Sequence, residues 1–192
     1  MLPPSPLVLA KDWLDGAIEA GLPEPNAMAV ASVGTNGIPS VRLVLCKQID
    51  DSGVVFFTNY KSRKASDLAR NPAASLVFPW QALGRQVRLE GRAERVTESE
   101  SDAYFATRPR GAQLSAWASK QSDVIPSRAD LEDRVTELDE RYPDRVPRPP
   151  YWGGIRIVAS RVEFWQSRPD RLHDRLVYHR VADGWSVVRL QP

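Results

Sequence analysis

The sequence predicts a mainly β fold of the α+β class: an antiparallel barrel or sandwich with a few surrounding helices. Three observations carry this. Eight or so short runs alternate apolar and polar residues or are rich in Val, Ile and Phe, and Gly, Asn, Asp or Pro bound them. The helical patterns fall between groups of strands and not after each one, which argues against a parallel βαβ sheet. No G-x-G-x-x-G follows a strand, so a dinucleotide-binding fold is not supported. The 192 residues suffice for one domain with a substantial core, taken as residues 1–192.

In chain order, "PLVLAKDWLDGAIEAG" spaces apolar residues as a helix over 7–20 and stops at Gly21. "AMAVASV" reads as a strand, and "GTNG" as a hairpin turn, because Asn-Gly tolerates positive φ. "PSVRLVLCKQI" and "VVFFTNY" continue what reads as a three-strand antiparallel meander. A short helix follows in "KSRKASDLARNP", with Ser62 as N-cap and Pro72 beyond its end. "AASLVFPW" and "RQVRLEGRAERV" are two more strands. Thr97 and Glu100 form a capping box for a helix reaching about Thr107. "RPRGAQLSAWASKQS" is mixed in character. "SRADLEDRVTELDERYP" is an amphipathic helix, and "RVPRPPYWGG" is a connection. "IRIVASRVEFWQ", "RLHDRLVYHR" and "GWSVVRLQP" close the chain as strands.

Composition narrows the function. Lys plus Arg number 26 against 24 for Asp plus Glu, a net charge of +2. That balance does not point to nucleic acid. Cys46 is the single cysteine, so no intrachain disulfide forms and a cytoplasmic setting is expected. No run reaches the length of a membrane span, and no basic segment precedes the apolar run at the start, so neither membrane nor leader is expected. With one Cys and two His, no metal site is expected. Paired catalytic carboxylates and a nucleophile elbow are both missing, which disfavours a hydrolase.

Three stretches look built for anions. In "RLHDR", strand alternation would place Arg171, His173 and Arg175 on one face. Like charges on one face repel, unless an anion lies across them or water and carboxylates compensate. In "NYKSRK", Arg63 and Lys64 occupy the first turn of a capped helix. Cations are unfavourable there by about 0.3–1 kcal/mol each, and a phosphate would reverse that sign. In "VRLVLCK" and "YFATRP", Arg42 and Lys47 have opposite parity on one strand, and Tyr104 and Arg108 are i,i+4 neighbours on a helix ending at Pro109. Arg, Tyr hydroxyl and Lys together suit a phosphate. Each stretch also has an ordinary reading as solvated surface charge. Gln86, Gln121 and Ser122 could hydrogen-bond a polar ring edge. Trp165 could stack on a planar ligand, though core packing is its commoner role. Cys46 reads as a small buried hydrophobe.

Taken in order, "PNAMAVASV", "RLVLCK", "FFTNYKSRKA", "NPAASLVFPW", "GRQVRLEGRAERV", "YFATRPRGAQLSAWASKQS", "WGG", "VEFWQ", "RLHDR" and "RLQP" resemble the pyridoxine/pyridoxamine 5′-phosphate oxidase family over about residues 25–192. The resemblance implies a homodimeric FMN-binding split β-barrel. It implies oxidation of pyridoxamine or pyridoxine 5′-phosphate to pyridoxal 5′-phosphate, with O2 as acceptor and H2O2 as product. FMN contacts would be Arg42, Leu43, Val44, Leu45, Cys46, Lys47, Phe57, Thr58, Arg63, Lys64, Gln86, Gln121, Ser122, Trp165 and Arg175. Substrate contacts would be Lys47, Tyr104, Arg108, Arg171 and His173, the last two placed at the reacting ring as the catalytic pair.

Three departures accompany the resemblance. Ala112 stands where many relatives have a Ser on the substrate phosphate, and Phe57 where Tyr is frequent. The relatives' earlier basic segment with a covering Tyr has no match here. Two other functions stay open: a related flavin oxidase of another reduced ring, as in phenazine biosynthesis, and a non-catalytic FMN- or pyridoxal-phosphate-binding protein.

Overall fold

The computed structural model describes residues 5–192; the first four, on which the leader reading partly rests, lie outside that range. Helix α1 (Pro6–Glu19) starts at Ser5, whose hydroxyl accepts from the Leu7 N–H, with Pro6 in the first turn. It lays Leu7, Ala10 and Ala17 against the sheet. Strands β1 (Ala27–Val33) and β2 (Pro39–Leu45) pair along their whole length, and Gly37 takes φ +74° in the turn. The remaining strands are β3 (Gln48–Ile49), β4 (Gly53–Asn59), β5 (Ala73–Trp80), β6 (Arg85–Arg95), β7 (Trp152–Gln166), β8 (Asp174–Val181) and β9 (Gly184–Leu190). The helices between them are α2 (Arg63–Arg70), α3 (Glu98–Ala106), α4 (Arg110–Ala118) and α5 (Arg128–Arg141).

All strand pairs are antiparallel, in the order β2-β1-β5-β6-β7-β4-β3, with β8 and β9 added beside β7. The 15 residues of β7 explain the split. One edge follows β6 over Ile155–Gln166, with a bulge at Glu90/Gly91. The other pairs with β4 over Trp152–Val158 and with β8 over Arg161–Gln166. The curled sheet therefore parts along one strand. Phe56, Phe78, Met28, Leu89, Ile157 and Tyr178 fill its interior. A second cluster, Phe105, Leu114, Val146 and Trp152, seats the helices against the start of β7.

Three expectations need correction. The meander forms only in part: β1 pairs with β2 and the short β3 with β4, but β4 lies along β7 and not along β2. The strand expected over "PSVRLVLCKQI" breaks at Cys46–Lys47, so parity does not relate Arg42 to Lys47. "RLHDR" is not one strand face. Pro169–Arg171 is a tight turn with Asp170 and Arg171 at φ +54° and +60°, and β8 begins only at Asp174. The turn puts Arg171 and His173 outside the alternation that would have aligned them with Arg175.

The capping box at α3 forms as expected. The Glu100 N–H donates to Thr97 Oγ1 at 3.1 Å, and the Thr97 N–H donates to Glu100 Oε2 at 2.9 Å. Arg148 then ties α3 to β7. It donates to Asp102 Oδ1 at 2.6 Å and to the Trp152 carbonyl at 2.5 Å, and it pairs with Glu98, with its side chain only 8% exposed. Its partners are largely exposed, so Arg148→Ala should cost about 2 kcal/mol and not the full price of a buried pair. Thermal unfolding should fall by roughly 4–8 °C. A fall below about 1 °C would show that the clamp contributes nothing.

Candidate cofactor and substrate site

The start of α2 gathers the first group. Ser62 has the extended backbone of an N-cap, but its hydroxyl caps no N–H and instead accepts from Lys64 Nζ at 3.4 Å. Lys64 Nζ also donates to Thr58 Oγ1 at 3.1 Å and to Gln121 Oε1 at 3.2 Å. The Arg63 N–H donates to Ser122 Oγ at 3.2 Å. Ser122 reaches it from a left-handed backbone, φ +80°. Residues some 60 positions apart thus meet at one helix start. Burial pushes the Lys64 ammonium pKa below its usual value, and Arg42 pushes it further. Burial also lowers Arg42, against the pull of Asp67 and with the push of Arg63.

The second group is aromatic and cationic. The Phe57 and Tyr104 rings stack at 4.0 Å between centroids, and Trp152 lies 5.5 Å from Phe57. Two glycines permit this. A Cβ on Gly154 would lie 3.0 Å from the Phe57 ring, and one on Gly153, beside Trp152, would lie 2.1 Å from Tyr60 Oη. Lys47 Nζ stands 5.9 Å over the Tyr104 ring, and the Arg108 guanidinium 4.6 Å over Trp152. Arg108 lies just past the end of α3, not within it. Its NH1 is buried without a partner, and burial lowers its pKa. A buried cationic donor left unpaired is costly, and an anionic ligand would satisfy it.

Both groups open onto one cavity of about 740 Å³. Lys47, Phe57, Thr58, Lys64, Tyr104, Arg108 and Gln121 line it, with Leu43, Val44 and Leu45 from β2. Ala112 is also in the wall, near the hydroxyl-bearing Thr107, Ser115 and Ser119. Arg42, Arg63 and Ser122 do not line it; Arg63 and Ser122 meet at the start of α2, and Arg42 on β2 is close enough to repel Arg63 and Lys64. Cys46 faces away, toward α1, and its burial pushes the thiol up to about 12. It is no nucleophile.

The remaining predicted residues lie elsewhere on the sheet. Gln86, Trp165 and Arg175 are adjacent across β6, β7 and β8, and the His173 ring is 4.6 Å from Trp165. Arg175 donates to the buried Glu163 at 2.8 and 2.9 Å. None of these, nor Arg171, lines the cavity of their own chain. Trp152 was not anticipated from the sequence, although the "WGG" glycines marked a close approach there. Glu163, Ser32 and Asp67 were also missed, since a buried charge inside a strand or helix has no local signature.

Residues 14–142 match the family described as pyridoxamine 5′-phosphate oxidase, and residues 152–192 match the pyridoxine 5′-phosphate oxidase C-terminal dimerisation region. A pyridoxine/pyridoxamine 5′-phosphate oxidase of Cupriavidus taiwanensis is 55% identical over 190 residues, covering 98% of this chain and 90% of that protein. The crystal structure of PhzG from Burkholderia lata, in complex with tetrahydrophenazine-1-carboxylic acid, is 36% identical with a TM-score of 0.94, covering 99% of this chain and 94% of that one. A pyridoxamine 5′-phosphate oxidase-related, FMN-binding protein of Nostoc punctiforme shares the fold at 20% identity, with a TM-score of 0.75 over 92% of this chain and 96% of that one. Curled sheet and matches define an antiparallel split barrel of the flavoprotein oxidase class. Within it, the chain belongs to the pyridoxine/pyridoxamine 5′-phosphate oxidase family, and it is an oxidoreductase.

Proposed function

We propose that the protein oxidises pyridoxamine or pyridoxine 5′-phosphate to pyridoxal 5′-phosphate with FMN bound, O2 taking the electrons and leaving as H2O2; with the amine substrate, water is also consumed and ammonia released. The observation that carries this is one cavity walled by two cation groups, each able to hold a phosphate. FMN supplies the hydride acceptor when bound. Arg42, Thr58, Arg63, Lys64, Gln121 and Ser122 fit its phosphate end. Lys47, Tyr104 and Arg108 fit the substrate phosphate, with the unpartnered Arg108 NH1 as the waiting donor. The chain's own part is binding and orientation, and no residue need serve as an indispensable general base. Gln86, Trp165 and Arg175 would reach the flavin, and Arg171 and His173 the pyridine ring, from the second subunit of a homodimer. A cytoplasmic setting fits the single reduced cysteine. The PhzG likeness favours a second reading, a reduced ring without phosphate, but two uncompensated cations beside Tyr104 suit a phosphate better.

Lys64→Ala should weaken FMN about tenfold to a hundredfold, the roughly 1.5–3 kcal/mol of a charge-assisted hydrogen bond, and should affect substrate less. Fluorescence titration of the apoprotein reads this directly, and unchanged affinity would refute the assignment of this helix start. The pH response has a definite sign. Free Lys64 titrates below its usual 10.5, and a bound phosphate would raise it again. The complex then holds the proton longer than the free protein, so FMN affinity should fall as pH rises through the lowered Lys64 pKa. Lys64→Arg should lose that alkaline limb.

A further inference from the structure

Ser32 and Asp67 are buried polar residues, 1% and 9% exposed, between β1 and α2. Burying a carboxylate is costly unless it is hydrogen-bonded or paired. Here Ser32 Oγ donates to Asp67 Oδ2 at 3.0 Å and accepts from Arg42 NH1 at 2.9 Å. Arg42 also donates from NH1 to the Val30 carbonyl at 3.2 Å and from NH2 to Ser40 Oγ at 2.9 Å. Its guanidinium is thereby fixed on three oxygens. Asp67 lies on α2, one turn beyond Arg63 and Lys64, while Arg42 lies on β2. The chain of bonds crosses β1 to join that helix to that strand.

We propose that Ser32 and Asp67 are positioning residues for the FMN-phosphate cradle, locking the Arg42 guanidinium beside the start of α2. This rests on the reading that Arg42 and Lys64 hold the flavin phosphate. Neither Ser32 nor Asp67 lines the cavity, so any effect on the ligand is indirect, through Arg42 or through the seating of α2. Three cations converge at this helix start, and their repulsion favours swinging one of them away. Lys64 and Arg42 both have lowered pKa values, chiefly through burial; a neighbouring cation adds to this in each case, and for Arg42 Asp67 pulls the other way. A guanidinium already fixed loses less freedom when the phosphate arrives. Asp67 supplies the last acceptor, on which the Ser32 hydroxyl is fixed.

The alternative is that the Ser32–Asp67 bond merely pins α2 to the sheet. A double-mutant cycle on FMN affinity of the apoprotein, read by flavin fluorescence quenching, separates the two. Ser32→Ala changes no charge and should weaken FMN about tenfold, whereas in an Arg42→Ala background the same change should matter less than about twofold. Asp67→Asn keeps an oxygen for the Ser32 hydroxyl and should stay within about threefold of the parent, whereas Asp67→Ala should lose about tenfold. Equal losses for Asn and Ala, or losses that simply add to that of Arg42→Ala, would overturn the inference. Should Asp67→Ala not fold, the Ser32 cycle decides alone. If Arg42→Ala binds FMN normally, the phosphate reading fails and the relay with it. If Arg42→Ala binds weakly but Ser32→Ala binds normally, only the relay fails.

Discussion

Arg171→Ala and His173→Ala are expected to keep FMN bound and the dimer intact, yet to slow flavin reduction about a hundredfold at saturating pyridoxine 5′-phosphate. Both residues sit in a turn under strain. Asp170 and Arg171 occupy the left-handed region without being glycine, at about 1–2 kcal/mol each. The turn is nevertheless well tied. The Leu172 N–H donates to the Pro169 carbonyl at 3.1 Å, and Arg168 pairs with Asp174 at 2.7 Å. The Arg168 N–H donates to His173 Nδ1 at 3.2 Å, which fixes one ring nitrogen as an acceptor. Packing on Trp165 holds the ring itself. Strain maintained by this many contacts suits a loop that orients a substrate. A reacting carbon displaced by about 1 Å can lose a hundredfold in rate without losing affinity. Anaerobic stopped-flow bleaching of the flavin isolates this step from reoxidation. Near-normal bleaching in both variants would mean the two side chains are only solvated surface groups.

Val41→Asp is expected to break the dimer and, with it, FMN retention. On one face of β2, Val41 is 67% and Leu43 69% exposed, and Leu45 continues the row, which runs into the cavity wall at Leu43 and Leu45. An edge strand with an open apolar face invites pairing with a partner. The chain carries its family's C-terminal dimerisation region, and one chain leaves Gln86, Trp165 and Arg175 away from the cavity. A two-fold interface meets each substitution twice. At about 3 kcal/mol per uncompensated buried charge, the dimer constant should fall at least about ten-thousandfold. Sedimentation and flavin content, measured together, test this. A monomer that still holds FMN stoichiometrically would refute the shared site.

Local patterns were legible wherever the physics is local. The Thr97–Glu100 capping box, the Asn-Gly hairpin and the apolar spacing of α1 each depend on residues within about one turn of one another, and each forms as read. The family strings likewise carried the split barrel, the oxidase class and the flavin, because they are long and ordered. Strand partners were another matter. β4 follows β2 closely in sequence, yet its backbone finds partners on β7, about a hundred residues away, because closing the curled sheet satisfies both edges. Alternation in "RLHDR" also misled, since Pro169 and two left-handed residues turn the chain before β8 starts. Which cations meet is a tertiary fact. Arg42, Lys64 and Gln121 come from three separate segments, and only packing brings them together, with Asp67 and Ser32 hidden behind. From sequence alone came the fold class, the spans of α1 and α5, the capped start of α3 and the chemistry of the ligand. The folded chain decided which half of the site one subunit can build, because charges converge through space and not along the chain.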